Sequence, residues 1–231
     1  DERQSRVGWW KVTGFLSRFG QRHGADPDDV PETAGAPDTV VGTKALRKFI
    51  SYLKSRPTPV LLDLGPVVGS NISFFGEQIG CKIFVEDLFA DIDRHEREGR
   101  LADLPAFLRS RFPQASGSVD GVLCWDLFDF LDRSAAQAAA EQLSRVLAVN
   151  GALFGFFGMT RPSEVRLTKF VVVDDANLRH RPYSIPRMRQ AVLQNRDITR
   201  LFEPLRVSDS FLLKNNVREI LFRKPDYMDS R

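Results

Sequence analysis

The chain has 231 residues, of which 42% are hydrophobic and 27% are charged, and its formal net charge is +3. This composition excludes a disordered chain, and the length suffices for one α/β domain with a buried core and an appendage. No apolar run reaches the roughly 20 residues of a membrane-spanning helix, and residues 1–6 do not resemble a secretory signal. We expect Cys81 and Cys124 to be buried free thiols, which is typical of a cytoplasmic protein.

The first part of the chain, 1–42, is expected to be an appendage to one domain at 43–231. A helix is predicted over 7–20, because apolar residues recur there at helical spacing. These residues are Trp9, Val12, Leu16 and Phe19. Residues 24–38 are rich in Pro, Gly, Asp and Ala without periodicity, which indicates a linker or loop. The helix with its Trp9-Trp10 pair is therefore expected to dock on the domain or to act as a lid.

From residue 43 the sequence alternates between helical and strand patterns. Helices are predicted over 43–55, 71–79, 104–111 and from Ser134 onwards, and strands over 60–64, 82–85, 119–125 and 152–157. The helix at Ser134 has Gln137 three residues on, as in a capping box, and is expected to end at Asn150-Gly151. The alternation predicts a parallel sheet with helices on both faces. Strands over 205–213 and 217–223 predict an antiparallel hairpin at the end.

The turn after the first of these strands is acidic and contains glycine. It reads Val60-Leu-Leu-Asp63-Leu-Gly65-Pro66-Val67-Val-Gly69. Glycine permits positive φ and lets backbone N–H groups approach a ligand closely. The segment resembles motif I of class I methyltransferases that use S-adenosylmethionine (SAM), Asp/Glu-x-Gly-x-Gly-x-Gly, with Val67 in place of the middle glycine. A nicotinamide-binding loop would have glycine at the position of Asp63.

Three later segments add to this resemblance. Glu86 ends the second strand 23 positions after Asp63, where Rossmann folds place the acid that binds ribose hydroxyls, and Asp87 is the competing candidate. A helix cap is the alternative for either residue. The segment from Ser118 through Trp125-Asp126 to Leu131 resembles motif IV. Leu143-Ser-Arg-Val-Leu-Ala-Val-Asn-Gly151-Ala-Leu-Phe resembles the "R-V-L-x-P-G-G-x-L" segment of the family.

The resemblance covers residues 44–224 and implies a Rossmann-like three-layer α/β sandwich. Its sheet would be mostly parallel and seven-stranded, with the antiparallel hairpin at its end. SAM is the implied cofactor, and the matching positions predict which residues bind it. These are Asp63, Gly65, Pro66, Gly69, Glu86, Asp87, Asp103, Trp125 and Asp126. Asp103 corresponds to an acid that accepts the adenine amino group, and a helix N-cap explains it equally well.

Methyl transfer needs positioning of the acceptor and no catalytic triad, and a general base acts only where the acceptor loses a proton. The candidate bases are Asp126, Asp129, His180 and Tyr183. The insertion at 160–195, which includes the extended segment 169–173, is expected to form part of the substrate wall or a lid.

No metal is expected. Asp174, Asp175 and Asn177 are interpreted as a solvated turn, and the three histidines lack the spacing of metal ligands.

The predicted activity is methyl transfer to a small molecule, and two alternatives stay open. One is a nucleic-acid methyltransferase, because residues 161–200 carry nine Lys/Arg against four Asp/Glu. Against it, Trp125-Asp126-Leu-Phe lacks the Asn/Asp-Pro-Pro-Tyr form of enzymes that methylate base amino groups. The other is a catalytically inactive binding or scaffold protein, which Val67 keeps open.

Overall fold

The computed structural model describes residues 11–12, 39–159, 165–187 and 192–226. The strands are β1 (Lys11–Val12), β2 (Thr39–Gly42), β3 (Val60–Asp63), β4 (Lys82–Val85), β5 (Val119–Trp125), β6 (Leu147–Gly158), β7 (Val165–Val172), β8 (Asn177–Arg187), β9 (Arg206–Leu212) and β10 (Val217–Arg223). The helices are α1 (Ala45–Lys54), α2 (Gly69–Ser73), α3 (Leu88–Arg97), α4 (Leu104–Ser110), α5 (Arg133–Val146) and α6 (Asn195–Leu201). A π-helical turn at Phe74–Gln78 continues α2.

The main sheet has seven strands in the order β1-β4-β3-β5-β6-β10-β9. The strands from β1 to β6 in this order run parallel, and β10 runs antiparallel to both β6 and β9. The predicted fold class is therefore confirmed: a mostly parallel sheet that ends in an antiparallel hairpin. Six of the strands have four residues or more, and β1 adds two residues at the edge.

Helices cover both faces of this sheet because successive strand residues point to opposite sides. On one face, α1 and the π-helical turn pack on Leu61 and Leu123. On the other face, α3 to α6 pack on Leu62 and Val122. Both cysteines are buried and free, as expected. In the part of the chain that the structure describes, no helix is long and apolar enough to cross a membrane.

Both boundaries of α5 differ from the sequence prediction, and a further helix is present. The side chain of Asp132, not that of Ser134, caps α5 by accepting a hydrogen bond from Ala135 N at 2.7 Å. The helix ends at Val146 and not at Asn150-Gly151 as predicted. Asn150 instead lies inside β6, where its φ of 61° departs from that of an extended strand. Helix α3 was not predicted, although Asp87 caps it by accepting from Ala90 N.

A separate three-stranded antiparallel sheet, β2-β8-β7, was also not predicted. It is built from the end of the expected appendage and from the insertion after β6. Thr43, which follows β2, donates its backbone N–H to Ala176 O at 2.7 Å. The buried carboxylate of Glu219 on β10 accepts from Lys44 N at 2.8 Å and from the Thr43 hydroxyl. These bonds fix the small sheet and the start of α1 to the main sheet.

The helix predicted over 7–20 is wrong at Lys11–Val12, which form β1 and pair with Phe84 and Val85 of β4. This pairing satisfies backbone groups that would otherwise be exposed at a sheet edge. The other residues of that prediction, with the Trp9-Trp10 pair, lie outside the described residues, as does the predicted linker at 24–38.

A crevice at the reversal of strand order

The order of the main sheet reverses at β3, whose two neighbours are β4 and β5. The chain goes from β3 to β4 on one side and then crosses to β5 on the other. In open α/β sheets, ligands bind at such a reversal, beside the carboxyl ends of the strands. Here β3 ends at Asp63 and leads into the glycine turn, and β5 ends at Trp125, followed by Asp126. The sequence-predicted residues Asp63, Gly65, Trp125 and Asp126 are therefore brought to one crevice.

The carboxylate of Asp63 is buried and is held by two N–H donors. Its Oδ1 accepts from Gly65 N at 2.9 Å and from the indole Nε1 of Trp125 at 2.7 Å. The pKa of Asp63 is raised from its ordinary value of 3.8 to about 6, mainly by burial; the two hydrogen bonds oppose this rise and the negative charge of Asp87 adds to it. A carboxylate that is desolvated beside a second acid is typical of a functional site.

Gly65 is required by the approach of an aromatic ring. A Cβ at this position would lie 2.7 Å from Cδ1 and 2.8 Å from Nε1 of Trp125. Glycine would permit a positive φ in this turn, but neither Gly65 nor Gly69 has one. Trp125 does have a positive φ, of 50°. Pro66 is half-buried in the turn, and the side chain of Val67 is exposed. The side chain of Val67, at the position of the motif's middle glycine, therefore points into solvent and does not clash with the rest of the turn.

Five rings form an aromatic cluster above the ends of β5 and β6, namely Trp125, Phe154, Phe156, Phe170 and His180. Phe170 belongs to β7 and stacks on the Trp125 indole, with ring centroids 5.2 Å apart and planes within 6°. It also stacks on Phe156 and meets His180 edge-on at 4.9 Å. Burial lowers the pKa of His180, so its imidazole is neutral at pH 7.

A buried amide joins the glycine turn to the small sheet. Asn71, in α2, donates from Nδ2 to Phe170 O at 2.8 Å and accepts at Oδ1 from Val172 N at 2.8 Å. The side chain thus binds the β7 backbone as a neighbouring strand would. Nothing in the sequence pattern singled out Asn71 or Phe170, because they are 99 positions apart.

Glu86, the first choice for the ribose acid, faces inward and is fully buried. Its carboxylate accepts from Arg111 Nη1 and from Gln114 Nε2, the latter at 3.0 Å. Arg111 also donates from Nε to Asp91 at 2.7 Å. Glu86 is thus part of an ion-pair network between β4, α3 and the end of α4. Each oxygen of the Glu86 carboxylate therefore accepts a hydrogen bond within this network.

Asp87, the competing candidate, is half-buried at the start of α3. It has the expected role of a helix cap, and its charge still acts on Asp63. Burial raises its pKa, and the positive charge of Lys169 on β7 opposes that rise. Asp87 therefore lies near both the end of β3 and the small sheet.

The other predicted site residues lie in several places. Asp103 occupies the N-cap position of α4, as the alternative interpretation expected, but its exposed side chain makes no cap hydrogen bond and accepts from Arg100 Nε at 3.0 Å instead. Asp126 is buried at the end of β5. Asp129 accepts from the backbone N–H of Gly158 with both oxygens, which ties the ends of β5 and β6 together. Tyr183 lies on β8, and its side chain is outside the described residues.

The acidic turn after β7 is structural, as interpreted. Asp174 accepts from Ala176 N at 2.7 Å and from Asn177 Nδ2, and these bonds shape the β7–β8 turn and lower the pKa of Asp174. Among residues 11–12, 39–159, 165–187 and 192–226, no group of three or more His, Cys, Asp or Glu could hold a metal ion.

No protein-family model and no curated protein sequence matches this chain. Solved structures resemble it at low identity. A SAM-dependent methyltransferase from Aquifex aeolicus is 12% identical, and the aligned region covers 72% of this chain and 82% of that protein, with a TM-score of 0.43. TehB from Haemophilus influenzae is 15% identical, with 77% and 61% covered and a TM-score of 0.45. The glycopeptide N-methyltransferase MtfA, with bound S-adenosylhomocysteine (SAH), is 13% identical, with 84% and 90% covered and a TM-score of 0.43. These values describe a distant likeness and assign no substrate to this chain.

Proposed function

We propose that this chain is a SAM-dependent methyltransferase that binds its cofactor in the crevice between β3 and β5 and methylates a small molecule. The observation that carries the proposal is that three features lie together at one edge of the main sheet. The reversal of strand order, the acidic glycine turn from Asp63 to Gly69 and the acidic end of β4 at Asp87 all lie there. Ligands of open α/β sheets bind at this edge.

The polar groups at this edge fit a nucleoside with a charged amino-acid tail. The backbone of the turn from Gly65 to Gly69 would hold the methionine part, together with the buried carboxylate of Asp63. We propose that Asp87, rather than Glu86, binds the ribose hydroxyls. Two observations support this choice: Glu86 is fully buried against Arg111, and the charge of Asp87 acts on Asp63.

When bound, SAM supplies an electrophilic methyl group on a sulfonium, and the protein contributes mainly position and surroundings. Near-attack geometry can lower the barrier by about 7–11 kcal/mol. The buried rings of Phe156 and Phe170 would exclude water from the reacting atoms. Where the acceptor must lose a proton, the neutral imidazole of His180 can take it, and Asp126 is the alternative base.

A small acceptor is supported by how closely the second sheet covers the crevice. Asn71 binds the β7 backbone directly, and Phe170 lies on the Trp125 indole. This cover favours an acceptor of a few rings or fewer over a nucleic-acid duplex. The buried free thiols of Cys81 and Cys124 are consistent with the cytoplasmic location that we propose.

One observation favours a second candidate, a methyltransferase-like binding protein without catalysis. The indole of Trp125 stands directly above Gly65, where the cofactor would approach the turn. If this ring never moves, no nucleoside can contact the turn on this side of Gly65.

Calorimetric titration with SAM and with SAH separates the two candidates. The methyltransferase proposal predicts saturable binding of both, and release of SAH when a library of small acceptors is supplied. A folded protein that binds neither ligand at millimolar concentration would contradict the proposal and favour the binding protein.

A further inference from the structure

The side chain of Trp125 takes up the space over the glycine turn. A ring within 2.7 Å of a Cβ position on Gly65 leaves no room for a ligand atom on that side of the backbone. The same indole uses its only donor on Asp63. A ligand that approaches Gly65 from this side and takes the place of the indole on Asp63 Oδ1 must therefore displace this ring.

The backbone under this ring is strained. Trp125 has a φ of 50°, and a bulky residue there is a true outlier, of the kind that concentrates at clamps and switches. Three contacts on the indole oppose the strain: the hydrogen bond to Asp63, the stack on Phe170 and the edge-to-face contact with Phe154. Loss of the hydrogen bond or of the stack on Phe170 would favour a relaxed backbone with the ring elsewhere.

Phe170 is held over the indole from the other side of the crevice. The side chain of Asn71 donates to Phe170 O and accepts from Val172 N, so it binds the β7 backbone at Phe170 itself and two residues later. Because Asn71 is on the helix that the glycine turn starts, the turn itself fixes the position of β7. The turn, β7 and the end of β5 thus form one closed ring of contacts.

We propose that Trp125 and Phe170 form a gate over the glycine turn, latched by Asn71, and that a nucleoside ligand reaches Gly65 only when the indole swings away. The inference rests on the proposed function, because it concerns access to the same crevice. A gate that is mostly closed lowers the apparent affinity by the fraction of open molecules and slows association.

The test compares SAH binding by the parent and by Trp125→Ala, using calorimetry for affinity and stopped flow for association. The gate predicts that Trp125→Ala binds SAH at least about tenfold faster and with a severalfold lower Kd. Phe170→Leu, which removes the stack and keeps the indole, should change both quantities in the same direction by less. Phe107→Leu, the same change on α4 at the opposite face of the sheet, should leave both at the parent values.

A measurement on the intact ring covers the case in which Trp125→Ala fails to fold. In a Trp9→Phe/Trp10→Phe background, Trp125 is the remaining tryptophan. Saturating SAH should shift its fluorescence to longer wavelength and raise its quenching by iodide, because the indole leaves a buried position.

Two results would overturn the gate. Unchanged or weaker binding by Trp125→Ala, with an unshifted fluorescence spectrum, would make the indole a fixed wall of a working site. No SAH binding by the parent or by any folded variant would remove the proposed function, and the gate with it.

Discussion

Two buried carboxylates stand at neighbouring strand ends, and their surroundings differ. Glu86, after β4, meets the guanidinium of Arg111 and the amide of Gln114. Asp63, at the end of β3, has the N–H groups of Gly65 and Trp125 as hydrogen-bond donors. A carboxylate paired with a cation inside the protein holds elements together. A carboxylate that is desolvated and has only neutral hydrogen-bond donors, as Asp63 has, can still pair with a positively charged ligand.

The largest effect is expected where the ion-pair network is broken. Arg111→Met leaves the carboxylate of Glu86 fully buried without its cation, which costs about 3–5 kcal/mol of unfolding free energy. Urea denaturation measures this loss. Arg109→Met, an exposed change on the same helix α4, is the control and should change the unfolding free energy little. A loss for Arg111→Met no greater than that of the control would contradict the structural role of Glu86.

The next effect is a pH dependence that belongs to Asp63. Because its pKa is raised from 3.8 to about 6, the folded chain holds this proton more tightly than the unfolded chain does. The resulting stabilisation is fully present below the unfolded pKa and is lost as the pH rises through about 6, a change of about 3 kcal/mol. Asp63→Asn lacks this dependence. Its unfolding free energy should therefore rise relative to the parent's between about pH 4 and pH 7, and parallel curves would refute the raised pKa.

A smaller effect is expected at the glycine turn. Gly65→Ala places a Cβ against the Trp125 indole and should cost about 1–3 kcal/mol of unfolding free energy through overpacking. Gly76→Ala is the matched control, since its Cβ would meet Ile83 at an ordinary 3.7 Å. In a Trp125→Ala background the Gly65→Ala cost should largely disappear. A cost that persists there would assign the role of Gly65 to something other than the ring.

Much of the fold could be predicted because local patterns carry it. The predicted strands at 82–85, 119–125 and 217–223 have the observed bounds, since each contains a run of three or four apolar residues and lies between polar or glycine-containing turns. Contacts between distant segments could not be predicted. The pairing of Lys11–Val12 with β4 and the β2-β8-β7 sheet depend on backbone groups whose partners the sequence does not indicate.

The site was predicted in part, for the same reason. Asp63, Gly65 and Trp125 lie at the ends of strands, so the strand pattern placed them correctly. Counting 23 positions from Asp63 favoured Glu86, yet neighbouring residues of an extended segment point to opposite sides. Spacing alone does not separate Glu86 from Asp87. Our proposal of Asp87 rests on the buried network around Arg111, and that network depends on a residue 25 positions away from Glu86.

The affinity of SAH for Asp87→Asn and for Glu86→Gln tests the central claim most directly. If the cofactor lies in the crevice between β3 and β5 with its ribose on Asp87, Asp87→Asn should weaken binding at least about tenfold, the loss of a charged hydrogen bond. Glu86→Gln, provided that circular dichroism shows it folded, should bind SAH as the parent does. Binding that is lost in Glu86→Gln and kept in Asp87→Asn would contradict the account.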